Sequence, residues 1–364
     1  MTEVWTTGIA HADYAPRAAA RAEAEGWDGM VVVDSQNLSG DPFVALALAA
    51  RETSALALGT GVTNPATRHP AVAAAAIASV HVASGGRAHL GIGRGDSALA
   101  HLGMAPASVD VLERFVLVAR AYLRGARVSF DDLRPFAREG ARPVDALGLA
   151  DRPEDSRLHW VAADAALAPV PVEVVATGPR MLEVAGRLAD RTLLAVGADG
   201  ERVAWAADAA RAAGATSLAA FVNVVAHDDV SVARRVGAGG LTTFARFSAM
   251  DGKVRTPIDE SSADVLRDVH RNYDMKQHTR AGSPQAGRLT AEFVDRFGVL
   301  GPPSYCIERL TELAALGIDR FIVVGPSIDA DRDEARRAHR TFVEEVLPAL
   351  RPPAWPSARK EPVR

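Results

Sequence analysis

The sequence predicts an α/β chain folded as a single (β/α)8 barrel. Three observations carry this: short apolar runs spaced along the whole chain, helix-like alanine-rich segments between them, and polar or glycine residues gathered at the same end of successive runs. The runs are VWTTGIA (4–10), GMVVVD (29–34), ALALGTGV (55–62), RAHLGIG (87–93), VEVVAT (172–177), TLLAV (192–196), LAAFVNVVA (218–226) and RFIVVG (320–325), eight in all. They are nearly continuously apolar and do not alternate, which is how strands covered on both faces read. Eight strands alternating with helices favour one closed barrel over an open doubly wound sheet.

The helices follow from their ends. Residues 14–25 carry alanines at helical spacing and stop at Gly26, a C-cap residue. Asp41 and Pro42 open the next as N-cap and first-turn proline. Pro70 starts a helix through Ala83, stopped by Gly85 and Gly86. Ser108 to Arg124 is amphipathic and ends at Gly125; Pro179 opens a helix through Leu188; Pro302 and Pro303 precede one ending at Leu316 and Gly317. Two stretches break the rhythm, about 126–170 after strand four and about 235–300 after strand seven. They read as insertions in one domain spanning 1–350, with a tail at 351–364. Long insertions after strand ends serve as lids or binding loops.

Composition narrows the function. Lys plus Arg total 41 and Asp plus Glu 45, a net charge of −4, without the strongly basic balance of a nucleic-acid binder. No apolar run reaches membrane-spanning length. The residues MTEVWTTGIA lack the pattern of a signal peptide. Cys306 is the only cysteine, so an internal disulfide and a cysteine metal cluster are excluded, and the histidines show no metal-binding spacing. The expectation is a cytoplasmic enzyme without a metal, acting on a small molecule.

The chemistry should sit at the strand ends. Strand two runs into Asp34-Ser35-Gln36-Asn37, strand three into Gly61-Val62-Thr63-Asn64, strand four into Gly93-Arg94-Gly95-Asp96-Ser97, strand five into Thr177-Gly178-Pro179, and strand six into Gly197-Ala198-Asp199. Thr177 and Gly178 precede a proline-started helix, whose free N–H groups and positive dipole end suit a phosphate. Gly91, Gly93 and Gly95 do not fit the dinucleotide fingerprint, and GxSxG is absent. They read as a glycine-lined wall beside a flat ring. His69 and His11 are candidate lining residues, while His81 and His89 read as structural. His270, Tyr273 and His278 lie in the second insertion and either touch substrate or line a solvated lid. Cys306 reads as a packed small residue.

These motifs carry a family resemblance. The stretch GTGVTNPATRHPAVAAAAIASVHVASGGRAHLGIGRGDSALAHLG resembles the third-to-fourth-strand region of the luciferase-like flavin oxidoreductase superfamily. Its F420-dependent methylenetetrahydromethanopterin reductase branch is the nearest in pattern. ATGPRMLEVAGRLAD, GPPSYCIERLTELAALGIDRFIV and GWDGMVVVDSQ extend the match over most of the barrel. The resemblance implies a deazaflavin at the strand ends, backed by a non-prolyl cis peptide at Gly61, Val62 and Thr63. It implies a phosphate near Thr177, Gly178 and Gly197, a ring bordered by Gly93 to Ser97, and a homodimer. Thr6-Thr7-Gly8 stands where that branch carries an acidic residue, and Ser35 follows Asp34, so the substrate stays open.

The main expectation is hydride transfer with coenzyme F420. The alternatives are a reduced-FMN monooxygenase and a non-catalytic flavin-binding barrel. The cofactor-lining set is Gly61, Val62, Thr63, Asn64, Gly93, Arg94, Gly95, Ser97, Thr177, Gly178, Pro179, Gly197 and Ala198. Asp34 is the first acid candidate, for proton handling or ring orientation, with loop capping as its structural reading. Asp96 is the second, facing the pocket or capping the next turn.

Overall fold

A computed structural model describes residues 2–163 and 168–351. Its strands are β1 (Glu3–Gly8), β2 (Gly29–Val32), β3 (Ala57–Thr60), β4 (Ala88–Ile92), β5 (Val172–Ala176), β6 (Arg191–Leu194), β7 (Leu218–Ala226), β8 (Val299–Gly301) and β9 (Arg320–Val324). Strands β1 to β7 pair in sequence order, and β9 closes the ring between β7 and β1, all in parallel. The fold is an eight-stranded TIM barrel. Each of the eight apolar runs supplies one barrel strand.

The sequence reading missed β8. It has only the three residues VLG and lies outside the ring, pairing with the far half of β7 as Val224↔Val299 and Ala226↔Gly301. The second insertion also begins earlier than 235. The chain leaves the barrel after Ala226 and builds the helix Val230–Ser248, then Glu260–Arg271 and Ala291–Phe297, before returning through β8. The expected helices at 14–25, 42–52, 70–83, 109–123, 179–188 and 303–315 are present, with Gly26 at φ 87° and Asp41 accepting from the Phe43 and Val44 N–H groups. Residues 126–163 hold only short helical turns. Apart from Arg351, the tail lies outside the described residues.

Strand alternation divides the core in two. Trp5, Val31, Leu193, Ala219, Phe221 and Ile322 pack together inside the barrel. Val4, Met30, Leu58, Leu90, Val174, Ala220 and Phe321, one residue out of step, pack with the surrounding helices.

Charge plugs the N-terminal end of the barrel. Glu173 and Arg320 are each 2% exposed. Arg320 donates to Glu173 Oε1 at 2.6 Å and to Glu3 Oε2 at 2.5 Å, and lies 3.8 Å over the Trp5 ring. His89 Nδ1 is 2.9 Å from the same Glu173 oxygen and Arg191 Nε is 3.6 Å away. Burial alone would raise the Glu173 carboxyl; the hydrogen bond from His89 and the charges of Arg320 and Arg191 hold it at about 2. His81 is also structural, bonded to the backbone carbonyls of Ala88 and Ala168. Cys306 is buried, and its thiol is pushed up to about 12 by burial.

Candidate active site

The loops at the C-terminal strand ends converge over the barrel mouth. The one after β3 is set by its backbone. Gly61–Val62 is a cis peptide, at the position the sequence resemblance implied. The next residues are tied to β4: Thr63 N–H donates to Gly91 O, Gly93 N–H donates to Thr63 O, both at 2.9 Å, and Gly61 N–H donates to Val32 O at 2.8 Å. Gly93 is glycine because a Cβ there would lie 2.5 Å from Val175 and 3.1 Å from Val62. The glycine wall is therefore required first by packing across the barrel end.

Asp34 is buried at the centre of this arrangement. One oxygen accepts from Thr63 Oγ1 and from Arg68, both at 2.6 Å, and the other accepts from Gln36 Nε2 at 2.6 Å. Arg68 also donates to Asp41 at 2.7 Å, linking Asp34 to the cap of the following helix. Both Asp34 oxygens thus serve its own surroundings. The acid fixes Thr63, directly after the cis peptide, and holds Arg68 in place. Arg68 was missed from the sequence, where a lone arginine in NPATRHP carries no distinguishing pattern.

Asp96 behaves differently. Its side chain does not cap the short helix Ser97–Ala100. It pairs instead with Arg246, from the insertion helix Val230–Ser248. Its second oxygen, Oδ1, is buried without a hydrogen-bond partner among the described residues. So are Gln36 Oε1, Asn64 Nδ2 and His101 Nε2. Asn64 uses its Oδ1 to cap Ala66 and Thr67 N–H at 3.0 and 3.1 Å, which leaves the Nδ2 donor free. Buried polar atoms normally find partners, so these orphans on neighbouring strand-end loops are the candidate ligand contacts.

Arg246 also lies 4.9 Å over the Tyr273 ring. Tyr273 OH meets His278 Nδ1 at 2.8 Å and Thr243 Oγ1 at 3.3 Å. Tyr273 and His278 are part-buried, and Arg246 joins Tyr273 to the β4 loop through Asp96. Burial, then the charge of Arg246 and the neighbouring His101, push the His278 imidazole down to about 4. Burial and the Arg246 charge also lower His270, which lies beside this cluster.

The fifth strand end opens onto an uncapped helix start. Gly178 is the N-cap of the helix Pro179–Leu188 and offers no side-chain cap. A Cβ at Gly178 would meet nothing within 4 Å. Packing does not demand glycine there, and the first-turn N–H groups are open. Thr177 is half-buried beside it and Pro179 is exposed. The sixth strand end is closed by comparison. Gly197 has φ 81°, and a Cβ would strike the Phe297 ring at 2.8 Å. Ala198 is fully buried; its N–H donates to Phe297 O and its carbonyl accepts from Arg309, both at 2.9 Å. That leaves Ala198 no backbone N–H for a ligand. Behind it, Arg202 is completely buried without a hydrogen-bond partner among the described residues, stacked 5.3 Å from Phe297. Burial lowers it to about 10.

Of the remaining expected site residues, Arg94 is half-buried and donates to Ala107 O at 2.5 Å, and Ser97 is half-buried at the start of its short helix. Gly95, at φ 75°, packs against Leu99 and Asn64. His69 caps the helix Pro70–Ala83 and meets Phe136 edge-on, and His11 is exposed. A groove of about 530 Å³, lined by Asp110, Arg114, Leu117 and Asp132, lies on the outer helix 109–123, away from the strand ends. No His, Cys, Asp and Glu cluster among the described residues could hold a metal, and no described helix is long and apolar enough to cross a membrane.

A luciferase-like monooxygenase family model matches residues 2–320 of the chain. The chain belongs to that family. This luciferase-like protein is an oxidoreductase of the superfamily, with relatives that extend along nearly its whole length. It is 27% identical to a 5,10-methylenetetrahydromethanopterin reductase of Methanolobus tindarius, over 86% of this chain and 90% of that one. It is 27% identical to an F420-dependent glucose-6-phosphate dehydrogenase of Beutenbergia cavernae, over 91% of both. The solved F420-dependent tetrahydromethanopterin reductase of Methanopyrus kandleri shares its fold, with TM-score 0.67 at 22% identity, covering 96% of this chain and 99% of that one.

Proposed function

We propose that this luciferase-like protein transfers hydride between coenzyme F420 and a small organic substrate at the C-terminal mouth of the barrel. The observation that carries the reading is the group of buried, unpartnered polar atoms on adjacent strand-end loops. Asn64 Nδ2 offers a donor, and Gln36 Oε1 and Asp96 Oδ1 offer acceptors. A flat heterocycle with alternating carbonyl and N–H groups would satisfy all three. The names of two full-length relatives, both F420-dependent glucose-6-phosphate dehydrogenases, support the same cofactor.

In this reading the segment Gly61–Asn64 and the wall Gly93–Ser97 flank the ring, while Thr177 and Gly178 receive its phosphate at the open helix N-terminus. Gly197 shapes the turn nearby. When bound, the deazaflavin supplies a carbon that accepts or gives a hydride. The protein's own part is placement. Asp34 fixes Thr63 and Arg68, so it positions the ring-facing loop. Arg246, paired with Asp96, draws the insertion over the mouth and limits water there.

The test is a cofactor titration followed by F420 fluorescence and FMN absorbance. F420 is expected to bind at least roughly tenfold more tightly than FMN, a difference of about 1.4 kcal/mol. Tight FMN binding with none for F420 overturns the reading in favour of a reduced-FMN monooxygenase. The same reading includes a homodimer. Val44, Leu48 and Val72 are 54%, 40% and 56% exposed on the neighbouring helices 42–52 and 70–83, an apolar face suited to a second copy. Sedimentation at micromolar concentration should give a species of twice 38.3 kDa; a purely monomeric boundary contradicts the dimer.

A further inference from the structure

Trp5, Phe221 and Ile322 face inward on β1, β7 and β9. Two residues closer to the mouth, the same parity brings Thr7, Asn223 and Val324 to the inner face. Thr7 Oγ1 donates to Val323 O at 3.2 Å. Asn223, paired in register with Val324, is 3% exposed, and its Nδ2 has no hydrogen-bond partner among the described residues. The insertion helix Val230–Ser248 runs back over this face of β7. A Cβ on Gly237 would lie 3.1 Å from Val225, and one on Gly240 would lie 2.5 Å from Asn223 Nδ2 and 3.3 Å from Val324. One turn on, the Phe244 and Phe221 ring centroids are 5.8 Å apart.

We propose that Asn223 is a substrate-binding residue, and that the substrate is an uncharged, largely apolar molecule whose hydrogen-bond acceptor meets the Asn223 amide. The proposal rests on the reading above, in which the β3 and β4 loops flank the cofactor ring. Around the closed barrel, β7 is the fourth strand from β3 in either direction, so Asn223 stands on the opposite wall. Hydride passes directly between carbon atoms held about 3–3.5 Å apart. The substrate therefore lies on the ring face turned away from β3, which is the face toward β7.

Two unfavourable features meet at this amide. A buried donor without an acceptor destabilises the fold, and a leucine of nearly the same shape would avoid it. A glycine in mid-helix weakens the helix, and the group that a Cβ on Gly240 would strike first is the same amide. Stability alone favours neither residue, while a ligand acceptor at Nδ2 gives both a purpose. The rest of the wall sets the class of ligand. Phe221, Phe244 and Val324 are apolar, Thr7 is neutral, and Arg246 on the same helix is already paired with Asp96. A phosphate or carboxylate against this wall would be desolvated without a counter-charge.

The test is a binding cycle with quinoline, naphthalene and 1-naphthoate, measured by calorimetry at neutral pH on the full chain, both loaded with F420 and cofactor-free. Quinoline and naphthalene share a shape and differ by one acceptor nitrogen. The ratio of the quinoline Kd to the naphthalene Kd should rise about fivefold to tenfold in Asn223→Leu and in Asn223→Ala, the size of one hydrogen bond. A structural role for Asn223 would weaken both probes alike, and an unchanged ratio overturns the proposal, as does a wild type that binds no quinoline. 1-Naphthoate should bind at least roughly tenfold more weakly than naphthalene; equal or tighter binding of the anion overturns the uncharged substrate. Asn223→Leu should also raise the urea midpoint, since it removes an unsatisfied donor. A lower midpoint with an unchanged ratio makes Asn223 structural. Failure to bind F420 strikes the cofactor reading instead, and the ratio in the cofactor-free protein still judges Asn223. F420 binding with an unchanged ratio strikes this proposal alone.

Discussion

Gly178→Val is expected to weaken F420 binding by about 100-fold, equivalent to roughly 3 kcal/mol, while leaving the fold intact. The backbone at Gly178 has φ −131° and ψ 168°, an extended conformation that valine adopts readily. A Cβ there has nothing within 4 Å, so no packing is disturbed. Losing glycine at an N-cap costs at most about 1 kcal/mol, and the lower freedom of the unfolded valine chain offsets part of it. The isopropyl group would instead fill the space in front of the first-turn N–H groups. Charge-assisted hydrogen bonds to a phosphate contribute about 1.5–3 kcal/mol each, so losing one or two gives the expected change. Urea unfolding and fluorescence titration on one preparation separate the effects. A variant that binds F420 like wild type removes the phosphate from this helix end.

Glu173→Gln is expected to destabilise the protein by roughly 3–5 kcal/mol at neutral pH, because it leaves the fully buried Arg320 and the largely buried Arg191 without their shared carboxylate. Glu3 is the remaining partner of Arg320, and its side chain is 42% exposed, so it screens that charge poorly. The sign with pH follows from the depressed carboxyl. The wild-type contribution is complete above the ordinary value of 4.5 and declines as pH falls toward about 2. Urea midpoints of the two proteins should therefore converge as pH drops below 4.5. A constant gap across that range would mean that the glutamine fails through shape and not through charge.

Both predictions concern features with unequal visibility in the sequence. The eight barrel strands were readable because each is buried on both faces and so appears as an unbroken apolar run. β8 was not, because three residues pairing outside the ring leave no run to see. Thr177 and Gly178 were readable because the proline after them marks a helix start. Glu173 and Arg320 stand inside apolar runs, and a charge in a strand buried on both faces is itself a sign of a partner across the barrel. The choice of partner is set by register, which the runs do not encode.

The strand-end acids Asp34 and Asp96 were found by position, but their roles depended on arginines far along the chain. Asp34 meets Arg68 across a loop, and Asp96 meets Arg246, 150 residues away. Tyr273 and His278 stood in a segment whose tertiary placement no local pattern fixes. They become meaningful only when the insertion folds over the β4 loop. Ala198 shows how tertiary structure constrains such a position. Its place after a strand suggested a ligand contact, while tertiary hydrogen bonds to Phe297 and Arg309 had already used its backbone.

The small strand β8 bears on how such a barrel diversifies. Ala226 and Gly301 sit side by side in the β7–β8 ladder, and the His227 N–H donates to Gly301 O at 2.8 Å. The excursion that carries Arg246, Tyr273 and His278 thus departs and returns at one stitched seam. Ring closure between β7 and β9 depends on neither the length nor the content of what lies beyond that seam. The closed ring of strands and the excursion beyond the seam are in this sense separate parts, so the second can be rewritten by sequence change while the first keeps its register.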